Sequence, residues 1–549
     1  MNQAHPTTNT PTTADRFSTR QKSVAATDHA NPAHSFWRAW PWWLLPALCA
    51  LILVLWFVDP FIGDWDGMDY TMLSVAGYPS SMALGRNLFI FENYILYRLA
   101  HSLFGIQPDQ AYLIFKYTVV AQAPMAVVAC WVLARDVSQS LYTPTLAALF
   151  LVFSPVFVLY SGQVMTDVPS VLLLAIALTI HLRGLKQNRV WMVLLGAALL
   201  GLGMNLRETI GFYFPWLVLA PFVCGWKLNR RTILWIALSC LLFLLFAFGW
   251  FAFWFITDTH YRGIWYGWRE SMRLETERHP VTLKNLWPYL GYFFVSAPLI
   301  FVSLPFAFIK EWRKRRLSTM LLLAATGFLA NLALFLNYST AINWRYFLTG
   351  LPAIAPLCAH FLLGTVERRV PNVRLAFAAC VIAVLAVAVT FSLLIRPASK
   401  QFIERRAMSR EYRHQLANLP PDGVLISGSQ TIAVTYWKAM GAGRWKTIGT
   451  GGGWPGDDNL VPVIESYLQQ GHRVFLDTDP RWWLPCGWQR DEIPAIVNLQ
   501  KHFSFRRVTE TIYEIRPRGE QGAIDSPNLE ILLPENRPED TKKCPPIHG

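Results

Sequence analysis

Asp64, Asp66 and Asp69 fall within six positions in "FIGDWDGMDYTMLSV" (61–75), directly after a long apolar run. A carboxylate within hydrogen-bond reach of a hydroxyl can take its proton as the oxygen attacks an electrophilic carbon. A second carboxylate close by raises the pKa of the first and makes it a better base. If 66–76 is helical, Asp66 and Asp69 share a face and Asp64 stands where an N-cap would. In an extended segment Asp64 and Asp66 share a face instead. Both geometries are open at this level, and so is a plain capped helix start with solvated acids in its first turn.

What carries these acids is a membrane chain. Of 549 residues, 53% are hydrophobic and 15% charged, against about 25% charged in soluble proteins, and the mean hydropathy is +0.29. A bilayer core takes roughly 20 apolar residues per helix. Apolar runs near 42–62, 110–134, 142–160, 168–183, 191–206, 210–226, 232–256, 290–309, 317–336, 346–364 and 375–395 predict a polytopic α-helical membrane protein, with about eleven spans. No A-x-A cleavage site follows the first run, so it reads as an uncleaved span. The formal charge of +14 sorts into alternate loops: Arg16–Arg38 before the first span, Arg183–Arg189, Lys227–Arg231, "KEWRKRR" (310–316) and Arg368–Arg374. Basic loops stay cytoplasmic, so the charge records topology and argues against nucleic acid as a partner.

The intervening loops then face outward, on the extracytoplasmic side. They hold the opening acids together with Glu92, Asp167, Arg207, Glu208 and Arg345. Ionisable groups gathered at one membrane face mark a functional site. Residues 1–38 are polar and expected to be disordered, 39–399 form the membrane domain, 400–516 an extracytoplasmic α/β domain, and 517–549 a flexible tail. In the α/β domain, "GVLISG", "HRVFLDT" and "TIYEIRP" read as strands and "NLVPVIESYLQQG" as a helix. The "GTGGGWPGDD" stretch (449–458) lacks the spacing of a dinucleotide loop and reads as a turn. Cys486 and Cys544, the cysteines outside apolar runs, are candidates for a disulfide in an oxidising compartment.

Several stretches together resemble the GT-C superfamily of polytopic glycosyltransferases, above all its bacterial protein-mannosyltransferase-like and lipid A aminoarabinose-transferase-like members. They are "GDWD" after the first span, "NLFIFENYILYRLAHSLFG" (87–105), "SPVFVLYSGQVMTDVPSVLLLAIAL" (154–178) and "NWRYFLTGLPAIAPLCA" (343–359). The resemblance covers roughly residues 40–400. It implies a sugar donor on a polyprenyl phosphate, with transfer to an envelope lipid, polysaccharide or protein by an inverting mechanism. Asp66 or Asp64 would be the base and Glu92 the second carboxylate. Asn93 stands where the aminoarabinose transferases have a lysine. Arg345 is the first candidate for the anionic phosphate, since a guanidinium pairs bidentately and keeps its charge. Tyr346 follows it in the matched element. Arg207 is a second phosphate candidate, with an ion pair to neighbouring Glu208 as its alternative. Asp167 is either an acceptor contact or a helix cap, and Asp69 completes the acidic set.

Arg262 and Arg269 lie on an amphipathic loop that could cover the site, and Trp65, Trp265, Trp268 and Trp344 are candidates to stack on sugars. No cofactor is expected. In an oligosaccharyltransferase-like variant, the acids would instead bind Mg²⁺ or Mn²⁺. A lipid-linked sugar transporter or flippase, the other class weighed, would show repeats and midplane charge.

Overall fold

Lipid cannot hydrogen-bond backbone groups, so apolar stretches satisfy them internally as α-helices. The computed structural model describes residues 39–58, 65–79, 85–138, 140–278, 286–315, 317–337 and 344–391, and parts of 416–537, chiefly 422–428, 445–448, 460–480, 492–519 and 525–537. Residues 1–38, Asp64, the glycine-rich 449–458, Cys486 and Cys544 lie outside the described residues.

The chain begins with α1 (Trp40–Phe57), α2 (Trp65–Ala76), α3 (Asn87–Phe104), α4 (Ala111–Ser138), α5 (Tyr142–Val152) and α6 (Pro155–Tyr160). A hairpin of α7 (Asp167–Lys186) and α8 (Val190–Met204) follows, then a 3₁₀ turn (Glu208–Tyr213) leading into α9 (Phe214–Val223). Next come α10 (Arg230–Thr257), α11 (Thr259–Arg278), α12 (Leu286–Ser296), α13 (Pro298–Trp312) and α14 (Thr319–Asn337). A second 3₁₀ turn (Trp344–Phe347) opens α15 (Leu351–Val366), and α16 (Val373–Phe391) closes the bundle.

Each expected apolar stretch holds helix, but the described residues contain 5 helices long and apolar enough to cross a membrane: α1, α4, α7, α10 and α16. The stretch expected as one span at 290–309 is broken, with α12 and α13 meeting at 112°. Pro298 explains the break, because it stands at the first turn of α13 and cannot extend the ladder of α12. α5, α8, α9 and α15 are shorter apolar helices, so length and composition alone account for fewer spans than the about eleven expected.

Small residues let these helices approach closely. A Cβ on Gly196 of α8 would stand 2.6 Å from the Cβ of His181 on α7, and one on Gly201 would stand 2.2 Å from the carbonyl oxygen of Phe243 on α10. Trp131, Trp216 and Tyr213 are buried in the same continuous core.

The carboxy-terminal stretch forms a five-stranded sheet in the order β2-β1-β3-β5-β4. Its strands are β1 (Val424–Ile426), β2 (Lys446–Ile448), β3 (Val474–Asp477), β4 (Phe503–Arg507) and β5 (Ile512–Pro517). β1 runs parallel to β2 and β3, while β5 is antiparallel to β3 and β4. Helices α17 (Leu460–Gln469) and α18 (Ile493–His502) accompany it. β2 and β4 were not foreseen, one being three residues long and the other ending in two arginines.

The flexible tail expected from 517 is corrected over 525–537. Asp525 bridges to Phe505, Leu529 and Leu532 are fully buried in the sheet's core, and Arg537 donates to the Leu532 and Trp483 carbonyls. The apolar side chains that anchor this segment are few, and the polar composition around them hides them.

The closest helix contacts give a direct check. Gly201→Ala sets a methyl group against a backbone carbonyl that cannot swing away, an overpacking that costs about 1–3 kcal/mol. Its thermal midpoint in detergent is therefore expected to fall. Gly249→Ala, where the nearest atom to the new Cβ is 3.9 Å away, is expected to leave the midpoint unchanged or raise it slightly.

Candidate functional site

The start of α7, the end of α8 and the start of α15 meet at one end of the bundle, and five short segments bring charged groups together there. α2 supplies Asp66 and Tyr70, the bend before α3 supplies Arg86, and α7 begins with Asp167. The segment after α8 supplies Arg207 and Glu208, and the 3₁₀ turn before α15 supplies Arg345 and Tyr346. Two side-chain contacts tie the last two segments together. Thr209 and Thr349 share a hydroxyl hydrogen bond of 3.1 Å, and the Tyr213 hydroxyl donates to the Thr349 carbonyl at 2.9 Å.

Every arginine of the cluster faces an acid. Arg345 donates from Nη2 to Asp66 Oδ2 at 2.6 Å. Arg207 pairs with Asp167, and Arg86 with Glu208. The three pairs differ in access. Arg207 and Asp167 are fully buried, with side chains 1% and 0% exposed, whereas the Glu208 and Asp66 side chains are 32% and 38% exposed. Two guanidiniums lie over the Tyr346 ring, with the Arg207 Cζ 4.8 Å and the Arg345 Cζ 5.6 Å from its centroid. Such cation–π contacts hold planar cations without neutralising them. The Nε and Nη2 of Arg207 meet no hydrogen-bond partner among the described residues.

The arrangement corrects one expectation and adds a residue. Arg207 does not pair with its neighbour Glu208, because an extended backbone at Arg207 (φ −153°, ψ 125°) turns the two side chains apart. Glu208 reaches Arg86, which the sequence reading passed over. Arg86 is buried in the left-handed region (φ 64°), and its Nε donates to the Tyr70 hydroxyl at 3.1 Å. Its predecessor Gly85 has φ +80°, and a Cβ there would lie 2.8 Å from a Glu208 carboxylate oxygen. The segment is also bonded by its backbone to the end of α8, with Leu88 N donating to Asn205 O at 2.9 Å. A non-glycine residue held at positive φ costs about 1–3 kcal/mol and gathers at functional sites. The signal available in the sequence was a lone Gly-Arg before an apolar helix, in a loop otherwise poor in bases.

The other expected residues are placed differently. Asp167 heads α7, where a helix N-terminus favours a negative charge, and pairs with Arg207 as well. Asp69 stands on α2, half-buried. Glu92 on α3 accepts from Gln122 of α4 at 2.6 Å and is held by that amide rather than by an arginine. Trp265 packs on Phe251 and Trp268, with centroids 4.9 and 5.3 Å apart, joining α11 to α10 as an aromatic hairpin. Arg269 lies over Tyr266 on its own helix, while Arg262 is half-buried. Among the described residues no group of three or more His, Cys, Asp or Glu could hold a metal ion. Asp66, Asp167 and Glu208 each face a guanidinium.

Burial alone would raise the Asp66 pKa, but the positive charge of Arg345, followed by Arg86 and Arg207, holds it below the usual carboxylate value. Asp66 is therefore ionised at neutral pH, with its negative charge committed to Arg345.

The sequence profile of a family described as dolichyl-phosphate-mannose-protein mannosyltransferase matches residues 93–251. The crystal structure of ArnT from Cupriavidus metallidurans bound to undecaprenyl phosphate superposes with a TM-score of 0.52 at 14% identity, covering 87% of this chain and 98% of that one. The fold is that of the GT-C glycosyltransferases.

The oligosaccharyltransferase of Archaeoglobus fulgidus, in complex with Zn and sulfate, gives a TM-score of 0.46 at 12% identity, covering 87% of this chain and 73% of that one. The S. cerevisiae protein O-mannosyltransferase Pmt1–Pmt2 complex bound to the sugar donor gives 0.33 at 13% identity, covering 41% and 34%. These two likenesses are too weak to add to the first. Comparison with curated protein sequences finds no match. The GT-C resemblance read from the sequence thus holds at the level of the fold, and the multi-pass membrane character with it.

The electrostatics predict a titration. In Arg345→Gln the burial of Asp66 remains while its foremost lowering charge is gone, so its pKa rises. The carboxylate band of Asp66, isolated by infrared difference against Asp66→Asn, should then titrate at higher pH than in the wild type. An unchanged midpoint would assign the lowering to Arg86 and Arg207.

Proposed function

We propose that the protein transfers a sugar from a polyprenyl-phosphate carrier to a hydroxyl-bearing envelope acceptor, on the extracytoplasmic side of the bacterial inner membrane. The observation that carries the proposal is the half-open Arg345–Asp66 pair at the mouth of a buried arginine cluster. A site built for this reaction needs fixed positive charge for a phosphate leaving group and an ionised carboxylate beside it.

The pair works by exchange. The donor's phosphate takes the Arg345 guanidinium, with the unpartnered donors of Arg207 beside it, and Asp66 is released. The acceptor oxygen attacks the anomeric carbon while Asp66 takes its proton. The bond from that carbon to the phosphate oxygen breaks, its electron pair stays on the phosphate, and the sugar is inverted. Asp64 remains the alternative base, and Glu92 the second carboxylate that orients the acceptor. Asp69 is a further acceptor contact, and Asp167 serves by holding Arg207.

The ArnT structure that shares the fold holds undecaprenyl phosphate, which supports the carrier class. In the metal-dependent variant, acids matched to arginines would have to leave them for a cation. In a flippase, charge would be spread toward the bilayer midplane.

The losses should differ in kind. Asp66→Asn keeps size and hydrogen bonding but cannot take a proton, so turnover should fall about 10²–10⁴-fold, while donor binding should be retained or tightened because the phosphate no longer displaces a carboxylate from Arg345. Arg345→Ala should weaken donor binding and turnover together, and Arg345→Lys should restore only part, because a point charge cannot reproduce the fork. The assay is transfer from a polyprenyl-phosphate sugar, with donor binding measured separately. Full turnover in both Asp66→Asn and Asp64→Asn would refute the acid's role. Loss with EDTA and recovery with Mn²⁺ would establish the metal-dependent variant.

A further inference from the structure

The helix that carries Asp66 belongs to two cores at once. Tyr70, one turn after Asp66, is buried in the core of the helical bundle and stands edge-on to Phe89, 5.8 Å between centroids. Met68 is 5% exposed and buried instead in the core of the sheet, with Leu416, Trp483, Leu529 and Leu532 among its members. Met72 packs on that second core as well, and Val75 touches both. At 3.6 residues per turn, Met68, Met72 and Val75 form one stripe, and Asp66 and Tyr70 lie on the other side of the helix. Tyr112, at the outset of α4, adds a second contact between bundle and sheet core.

We infer that Met68 and Met72 are positioning residues for Asp66: the carboxy-terminal sheet grips the back of α2 and thereby sets where the carboxylate stands relative to Arg345. The physical need is plain. α2 has 12 residues and its sequence, WDGMDYTMLSVA, includes a glycine in the first turn. Isolated helices of that length are marginal in water. Its placement must therefore come from tertiary packing on both flanks. The Arg86–Tyr70 bond and the Phe89 contact secure one flank, and the methionine stripe secures the other. Methionine suits a seam between two units because its unbranched thioether fills irregular gaps. Leu529 and Leu532, from the packed segment near the chain's end, belong to the same core, so that segment contributes to the grip.

The inference rests on the transfer reaction proposed above for its kinetic consequence, but the docking has its own test. In full-length protein in nanodiscs, Met68→Asp places a charge in the seam, and backbone amides over 66–76 should exchange with deuterium at least tenfold faster. Amides of α7 and α8 should not change, which separates undocking from global unfolding. Met68→Leu, which fills the gap without a charge, should restore wild-type exchange. Unchanged α2 exchange in Met68→Asp would overturn the inference, whether or not the transfer reaction is correct. In the polyprenyl-phosphate sugar assay, kcat of Met68→Asp should drop about 10–100-fold, the scale of a small misplacement of a reacting group. KM for the donor should stay within about threefold of wild type, because the phosphate ligands are not on α2. A matched fall in kcat and donor affinity, or a kcat equal to wild type despite faster α2 exchange, would also overturn it.

Discussion

A guanidinium removed from water must meet an acid, or it destabilises the protein by several kcal/mol. This constraint organises one end of the molecule. Arg86, Arg207 and Arg345 come from three loops far apart in the chain, and each is answered by a carboxylate from a segment other than its own. The matching fixes how α2, α3, α7, α8 and α15 meet, because each pair joins two of them or their adjoining loops. The Arg207–Asp167 pair is structural in this sense, with both side chains out of solvent. In the Arg86–Glu208 and Arg345–Asp66 pairs the arginine is buried and the acid partly open, Asp66 the most. An anion that enters can replace that acid and leave the rest of the network standing.

The same economy of contacts explains why α2 matters beyond the two acids it carries. It is short, lies outside the helices long enough to span, and is held by side chains from both the bundle and the sheet. A carboxylate on such an element is placed by its surroundings and not by the stiffness of its own helix. Tertiary contact therefore sets the geometry of the proposed chemistry, whereas the membrane helices supply a rigid frame through close glycine contacts.

Much of the frame was legible in the sequence. Apolar runs announce helices, basic loops alternate, and the acids at 64–69 stand out in a chain with so few charges. Asp66 and Arg345 could be singled out separately, and the structure brings them together across 279 positions. Partnership was harder to read. Arg207 beside Glu208 suggests a local pair, but adjacent residues on extended backbone point apart, and the true partners come from α7 and from the bend before α3. Arg86 was missed because its importance lies in a left-handed backbone and full burial, neither of which is visible in residue type. The break at Ala297 was marked by Pro298 yet overridden by continuous hydropathy, and the order of 525–537 was concealed by polar composition. Periodicity reports elements well, while charge pairing and seams between units depend on long-range contacts.

The most direct test of the account is a structure of the full-length protein with a polyprenyl phosphate bound. It should show the Arg345 guanidinium on the phosphate oxygens, with Asp66 released from it and facing the space beside the phosphate. The Arg207–Asp167 and Arg86–Glu208 pairs should remain intact. A phosphate seated elsewhere, with the Arg345–Asp66 bond undisturbed, would contradict it.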